Sequence, residues 1–381
     1  SHPSIRAFDA RSGRQLWTVG QDVDGYHLMY CPDQDILIQP SSHDPDPPSW
    51  NRKKRLQWVR LIAYRGSDGT VLWDSKLELE RSTGRHRMWW NWFVHRDTIV
   101  IESYYDTHAD FYGFDLQTGK QKVRKSALTG VEVPWGFRRR GGCTKNLCSE
   151  NMVFFRSNTA GYYDAQNDAG TVNLGGFRNG CKNSLIPAAG ILNAPNYASG
   201  CTCNYPVFTA LALVHMPDVE AWSTSTYTWD GARVKRVGIN LGAPGDHRAT
   251  NGTLWLDYPS VGGDSPDIPV TVTPAEPRWL YGHSARMRGG ALPRVAASGA
   301  EGLTTLTVTL AKDGDVQAAS YTVRLCFAER DDLKPGERVF GVALQGKRVV
   351  EQLDVVKEAG LKTGLVKEFH GIDVPETLKI E

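Results

Sequence analysis

No apolar run in this sequence approaches the ~18 residues that a membrane-spanning helix needs, so no membrane span is expected. Ser1-His2 opens no signal-peptide pattern and reads as a processed start or a cut boundary. The Cys-x-x-Cys knuckles of structural zinc, the His-Glu-x-x-His of zinc proteases and the Cys-x-x-Cys-His of haem attachment are all missing, so no metal site is expected. Neither sign of charge dominates: 44 Lys and Arg face 42 Asp and Glu, for a net charge of +2. Without a basic stripe the chain does not read as a nucleic-acid binder, and Lys53-Lys54-Arg55 and Arg138-Arg139-Arg140 are local exceptions.

What is present is turn chemistry. A chain of 381 residues with 38 Gly, 20 Pro and 10% aromatics suits an all-β protein, and its length suits two domains. Ile5 to Trp17 reads as a hairpin in which Asp9 bonds the turn, Gly13 takes the left-handed conformation and Trp17 ends the second strand. Related hairpins follow around Gly69 and Gly119 and, loosely, Gly170, at intervals of 56, 50 and 51 residues. Four residues past each glycine stands Trp17, Trp73, Val123 or Leu174, always apolar. A strand-built repeat of that period points to propeller blades.

Between the hairpins, Tyr26 to Gln39 reads as a strand pair, Pro40 to Arg55 as a projecting polar loop, and Trp89 to Tyr105 as two strands turning at Arg96-Asp97. Trp135 to Arg140 reads as a loop. Further on come Gly180-Cys181, Ile186-Pro187-Ala188-Ala189-Gly190 and Cys201-Thr202-Cys203. This run resembles the closing blades of the PQQ-like β-propeller proteins common in planctomycetes and related bacteria. The resemblance covers Ser1 to about Lys235 and implies a propeller fold without implying a bound quinone. Quinoprotein dehydrogenases of the wider superfamily show adjacent cysteines, which this chain lacks, so no cofactor is expected and PQQ is disfavoured. Four hairpins and the cysteine-rich unit make about five blades, fewer than the seven or eight that the resemblance implies. The expectation is an incomplete set, with a preceding segment or another chain supplying the rest.

After Trp229-Asp230-Gly231, a hairpin signal, the repeat stops. Val237 to Tyr258, Tyr321 to Glu329 and Gly336 to Asp354 resemble the strands of a malectin-like domain. That resemblance covers about Arg236 to Glu381 and implies a jelly-roll β-sandwich with a glycan as ligand. The expected domains are therefore 1–235 (propeller blades) and 236–381 (malectin-like sandwich). Alternation in Leu303 to Leu310 and in Tyr321 to Phe327, around Asp313-Gly314, reads as a half-buried hairpin. Asn251-Gly252-Thr253 fits a glycosylation sequon but reads first as a turn.

Five clustered cysteines, Cys143, Cys148, Cys181, Cys201 and Cys203, are disulfide candidates, since such clustering in a loop-rich β chain favours an oxidising compartment. Aromatic and basic residues form the first candidate carbohydrate surface: Tyr104, Tyr105, His108, Trp135, Arg138, Arg139 and Arg140. Flat rings stack on sugars, and arginines pair with carboxylates or sulfates. Trp89, Trp90 and Trp92 read instead as fillers between blades, and loop carboxylates such as Asp106 and Asp110 as turn formers. The malectin-like resemblance implies aromatic residues and an aspartate from loops at one end, which selects Asp257, Tyr258, Tyr281 and His283; Trp255 and Phe327 read as core.

Together these features describe a secreted or periplasmic bacterial protein associated with carbohydrate, its propeller a recognition platform and its malectin-like module holding a polysaccharide or glycan. The alternatives are a polysaccharide lyase or other polysaccharide-degrading enzyme with a propeller-face active site, a quinone-dependent dehydrogenase, and a structural role in the cell envelope. Enzyme or binder stays open at this level, and no catalytic residue is assigned.

Overall fold

The computed structural model describes residues 4–20, 23, 28–41, 56–80, 92–104, 108–180, 183–195, 210–216, 219–225, 227–261, 263, 265–312 and 318–381. The repeat is visible first in its turns. Gly13 N donates to Asp9 O (2.9 Å) and Asp9 N donates to Arg14 O (2.8 Å); the same two bonds close the turns at Arg65, Gly69 and Thr70 and at Asp115, Gly119 and Lys120. The carboxylates of Asp9 and Asp115 also accept the backbone N–H groups of Ser12 (2.6 Å) and Thr118 (2.9 Å). A copy that the sequence reading did not single out stands at Ser126, Gly130 and Val131, with the serine hydroxyl in place of the carboxylate.

Two tryptophans lock these turns to one another. Trp17 Nε1 donates to Gly66 O (2.9 Å), and its ring lies so close to Gly69 that a Cβ there would stand 2.8 Å from Cε3. Trp73 repeats the arrangement one hairpin later, donating to Leu116 O (3.0 Å) and covering Gly119. Val123 and Leu174, at the equivalent places, are exposed, so the lock is confined to the first two hairpins.

Contacts divide the chain into two compact units: Ser1–Arg124 with Glu132–Gln166 and Asn173–His215, and Met216–Glu381 with Lys125–Val131 and Asn167–Val172. Strands dominate both; among the described residues the only α-helices are the short Pro293–Ala296 and Val355–Ala359. The protein is thus all-β, as its composition led us to expect.

The first unit holds four-stranded antiparallel meanders of the kind that build propeller blades. One runs through Met29–Cys31, Ile36–Ser41, Leu56–Arg65 and Val71–Glu80, and the next through Trp92–His95, Thr98–Tyr104, His108–Asp115 and Gly136–Arg140. Ile38, Leu61, Ile99 and Leu116 are fully buried among them, each worth roughly 1.5–3 kcal/mol. Trp92 packs on this core as a filler; Trp89 and Trp90 lie outside the described residues, as does most of the polar loop, 42–55. The segment read as a loop, Trp135 to Arg140, is instead an edge strand from Gly136 onward, paired Arg138 to Asp110 and Arg140 to His108. Phe111, Phe137 and Tyr163 stack at 4.3 and 4.1 Å between this sheet and the next.

The second unit is a β-sandwich. The sheet of Val270–Thr273, Thr305–Thr309, Thr377–Ile380, Phe340–Leu344 and Lys347–Leu353 and the sheet containing Ala319–Phe327 and Thr363–Val374 bury Val308, Leu310 and Val374 in one core. Leu254 and Leu256 join that core from a third sheet, in which Gly238–Leu241 runs parallel to Leu254–Tyr258. Leu128 and Val234 pack there too, and the Tyr227 hydroxyl bonds Asp168 (2.6 Å), which ties both early segments to this unit. One expectation fails. Thr305–Thr309 and Ala319–Phe327 do not pair; they belong to different sheets, because alternation reports one buried face and leaves the partner unspecified. Trp229-Asp230-Gly231 likewise forms no hairpin, only a bend at Gly231, whereas Asn251-Gly252 is the turn expected, with Gly252 at φ 82°.

Gly119→Ala is expected to destabilise the first unit by about 1–2 kcal/mol for the left-handed alanine and by a further ~1–3 kcal/mol for displacing Trp73. Gly13→Ala, whose Cβ would meet nothing within 4 Å, pays only the first. Urea unfolding followed by tryptophan fluorescence compares the two.

Candidate functional site

At one end of the second unit, strand geometry gathers an aromatic group. Gly242 (φ 72°) follows Gly238–Leu241 and donates to Tyr258 O (2.8 Å); a Cβ there would stand 2.6 Å from Leu280 O and 2.8 Å from Gly299 O. Only glycine lets these chains meet so closely. The approach brings Tyr258, at the end of its strand, against Trp279 with ring centroids 6.0 Å apart, edge to face. Two residues past Trp279 stands Tyr281, 54% exposed. Arg330 fixes the Tyr281 loop by donating to Tyr281 O (3.2 Å) and Ala297 O (2.9 Å).

On either side of Arg330, charge holds the framework. Arg278 bonds Glu301 (2.7 Å) and Asp331 (3.0 Å), while Arg338 bonds Glu301 (2.5 Å), Glu329 (2.8 Å) and Asp331 (3.2 Å). Hydrogen bonds from these two guanidiniums hold the Asp331 carboxyl below its usual value. His283 accepts Ala285 N–H on Nδ1 (3.1 Å), and Ser284 N donates to Glu220 (2.9 Å).

Asp257 lies inward of this surface. It is 7% exposed and its carboxylate accepts Val261 N (3.0 Å), so it shapes the loop after Tyr258 and does not line the exposed end. Its backbone N–H donates to Asp246 (3.0 Å), a buried aspartate that also accepts Ser265 Oγ (2.9 Å) and Ser225 N (3.2 Å). Burial outweighs these donors and, with the nearby Asp257 charge, pushes the Asp246 carboxyl up to about 7. Its neighbour His247 is driven the other way, to about 3, by burial and by the Arg294 cation, which lies over Trp222 at 4.1 Å. His247 stacks on Trp255, and Phe327 packs on Phe340, so both aromatics read as core are engaged by neighbouring rings.

The candidates of the first unit do not form one surface. Arg139 is 1% exposed: it is paired with buried Glu102 and donates to the carbonyls of Arg156 (2.8 Å) and Gly142 (3.2 Å). Its place is the core, because strand alternation turns the middle arginine of three inward. Trp135 packs over Gly113 and edge-on to Phe137 and Tyr163, a structural position. Arg138, Arg140, His108 and Asp110 share the outer face of the strand pair, where Asp110 answers Arg138 at 2.5 Å and stands 4.0 Å from His108. Tyr105 and the Tyr104 side chain lie outside the described residues.

Cys143 and Cys148, offered as disulfide partners, are free thiols; Cys181, Cys201 and Cys203 lie outside the described residues. Burial raises the Cys148 thiol, which donates to Val94 O at 3.7 Å. Among the described residues no three His, Cys, Asp or Glu side chains converge as metal ligands, and no helix is long and apolar enough to cross a membrane. Trp279, Glu220, Asp246 and Arg330 join the candidates only through the structure. Trp279 was within reach, since Arg-Trp-Leu-Tyr alternates into Tyr281; the others carry no local signal.

Residues 310–377, from the end of Thr305–Thr309 through most of the sandwich, match the family model of the Malectin domain. No curated protein matches the chain. Among solved structures, a β-glucuronidase from Bacteroides uniformis is similar over 86% of this chain and 26% of its own, with 11% identity and a TM-score of 0.31. BamB from Moraxella catarrhalis is similar over 99% of this chain and 88% of its own (11% identity, TM-score 0.33), and the plant receptor-like kinase ANX2 over 37% and 40% (15% identity, TM-score 0.23). The chain spans about a quarter of the length of the glucuronidase. Overlays this loose carry no argument about activity.

Arg139→Met is expected to cost roughly 3–5 kcal/mol by stranding Glu102, against at most about 1 kcal/mol for Arg138→Met at its partly exposed pair; chemical denaturation measures both. For Asp246, whose folded value lies above its ordinary 3.8, the stabilising neutral form is complete below about pH 4 and is lost as pH rises through about 7. Asp246→Asn should therefore gain stability relative to the parent across that interval, by at most about 4 kcal/mol, in calorimetric midpoints recorded against pH.

Proposed function

We propose that this is a secreted or periplasmic carbohydrate-associated protein whose second unit binds a glycan through its Tyr258, Trp279 and Tyr281 end. The observation that carries the proposal is an exposed tyrosine two residues beyond the tryptophan of an edge-to-face tyrosine and tryptophan pair, in the unit whose residues 310–377 match the Malectin domain. Aromatic faces offer sugars apolar C–H contact, and a preformed loop loses little freedom on binding. Malectin domains are carbohydrate-binding modules, which supports the same reading.

The first unit is, in this proposal, a recognition platform of the PQQ-like propeller type. Its basic face gives limited support to a lyase, because Arg139 is committed to the core and Arg138 to Asp110. Binding by the second unit is therefore preferred to catalysis on the first.

Tyr281→Ala should weaken retention of the whole chain in polysaccharide affinity gels by about fivefold or more, the loss of one ring contact. Val123→Ala, an exposed apolar position in the first unit, should leave retention unchanged.

A further inference from the structure

Glu220 precedes the segment that matches the Malectin domain, and no motif marks it. Its side chain is only 9% exposed. One carboxylate oxygen accepts the Ser284 N–H (2.9 Å); the other, Oε2, has no hydrogen-bond partner among the described residues. A buried acceptor left without a donor bears its full desolvation penalty. Two residues on, the indole N–H of Trp222 is likewise buried without a hydrogen-bond partner among the described residues.

What Oε2 faces is His283 Nε2, 4.0 Å away and beyond hydrogen-bonding distance. Because His283 Nδ1 accepts the Ala285 N–H, the neutral ring carries its proton on Nε2. A donor and an acceptor therefore face each other across a gap. A single hydroxyl oxygen at about 2.8 Å from both atoms would subtend an angle of roughly 90°, accepting from the imidazole and donating to the carboxylate.

We propose that Glu220 and His283 form the hydroxyl-holding floor of the glycan site, and that this floor selects neutral sugars over uronates. The assignment rests on the glycan reading of the Tyr281 end. A sugar hydroxyl satisfies both facing groups at once, whereas a carboxylate placed there can donate nothing to Oε2, and a uronate held by one of its hydroxyls still brings its charge toward the Glu220 carboxylate in a half-dry site.

The test is affinity electrophoresis of the whole chain in gels of laminarin, soluble starch and xylan, with alginate and polygalacturonate as the uronic set, and a thermal midpoint for every variant. Expected are retardation of the parent by at least one neutral gel and not by the uronic gels, and binding about tenfold or more weaker for Glu220→Gln at an unchanged midpoint. His283→Gln, which keeps an N–H, should bind better than His283→Leu. If Tyr281→Ala loses binding while Glu220→Gln binds like the parent, the floor is wrong and the glycan site stands. Preference for the uronic gels overturns the selectivity, and no retardation in any gel overturns both readings. Should Glu220→Gln lower the midpoint, the His283 pair decides, equal binding by its two variants sinking the proposal.

Discussion

The second unit depends on one buried carboxylate. Asp246 receives the backbone N–H of Asp257, the backbone N–H of Ser225 and the Ser265 hydroxyl, groups from three separate stretches of chain. The first stretch continues into Tyr258, and the second is the chain that has just passed Glu220. Satisfying one buried acceptor thus sets the spacing between an aromatic wall and a polar floor. Burial makes the charged form of Asp246 expensive, which is why its carboxyl is raised even though donors reach it from three directions.

Glycine does for close approach what Asp246 does for polarity. At Gly242 two carbonyl oxygens stand where a side chain would begin, so the strand ends carrying Tyr258 and Trp279 meet without a spacer. The salt network of Arg278, Arg338, Glu301, Glu329 and Asp331 then uses its charges on one another. What this end offers to solvent is consequently an exposed tyrosine beside charges that already answer one another.

Turns were the most legible part of the sequence, because Asp9, Gly13, Asp115 and Gly119 act within five residues of one another and need no distant partner. Partnership was the least legible. Thr305–Thr309 and Ala319–Phe327 alternate as hairpin strands do, yet each pairs elsewhere, since period-two burial is the same in either sheet of a sandwich. Arg139 was hidden for a related reason: three consecutive arginines look like a basic patch until strand direction turns the central one toward Glu102. Tyr258, Tyr281 and His283 are singled out by resemblance alone; the structure joins Tyr258 to Trp279 and sets His283 opposite Glu220. Glu220 was invisible, because its meaning comes from Ser284 and His283, more than sixty residues away.

The lock between Trp17 and Gly69 also imposes a direction on the making of this protein. Trp17 leaves the ribosome 52 residues ahead of the glycine it covers, and at 5–20 residues per second that is a delay of roughly 3–10 s. During that interval the first hairpin carries an indole with nowhere to dock, and the second hairpin repeats the wait with Trp73 until Gly119 emerges. Each of these two hairpins is therefore finished only when its successor has emerged.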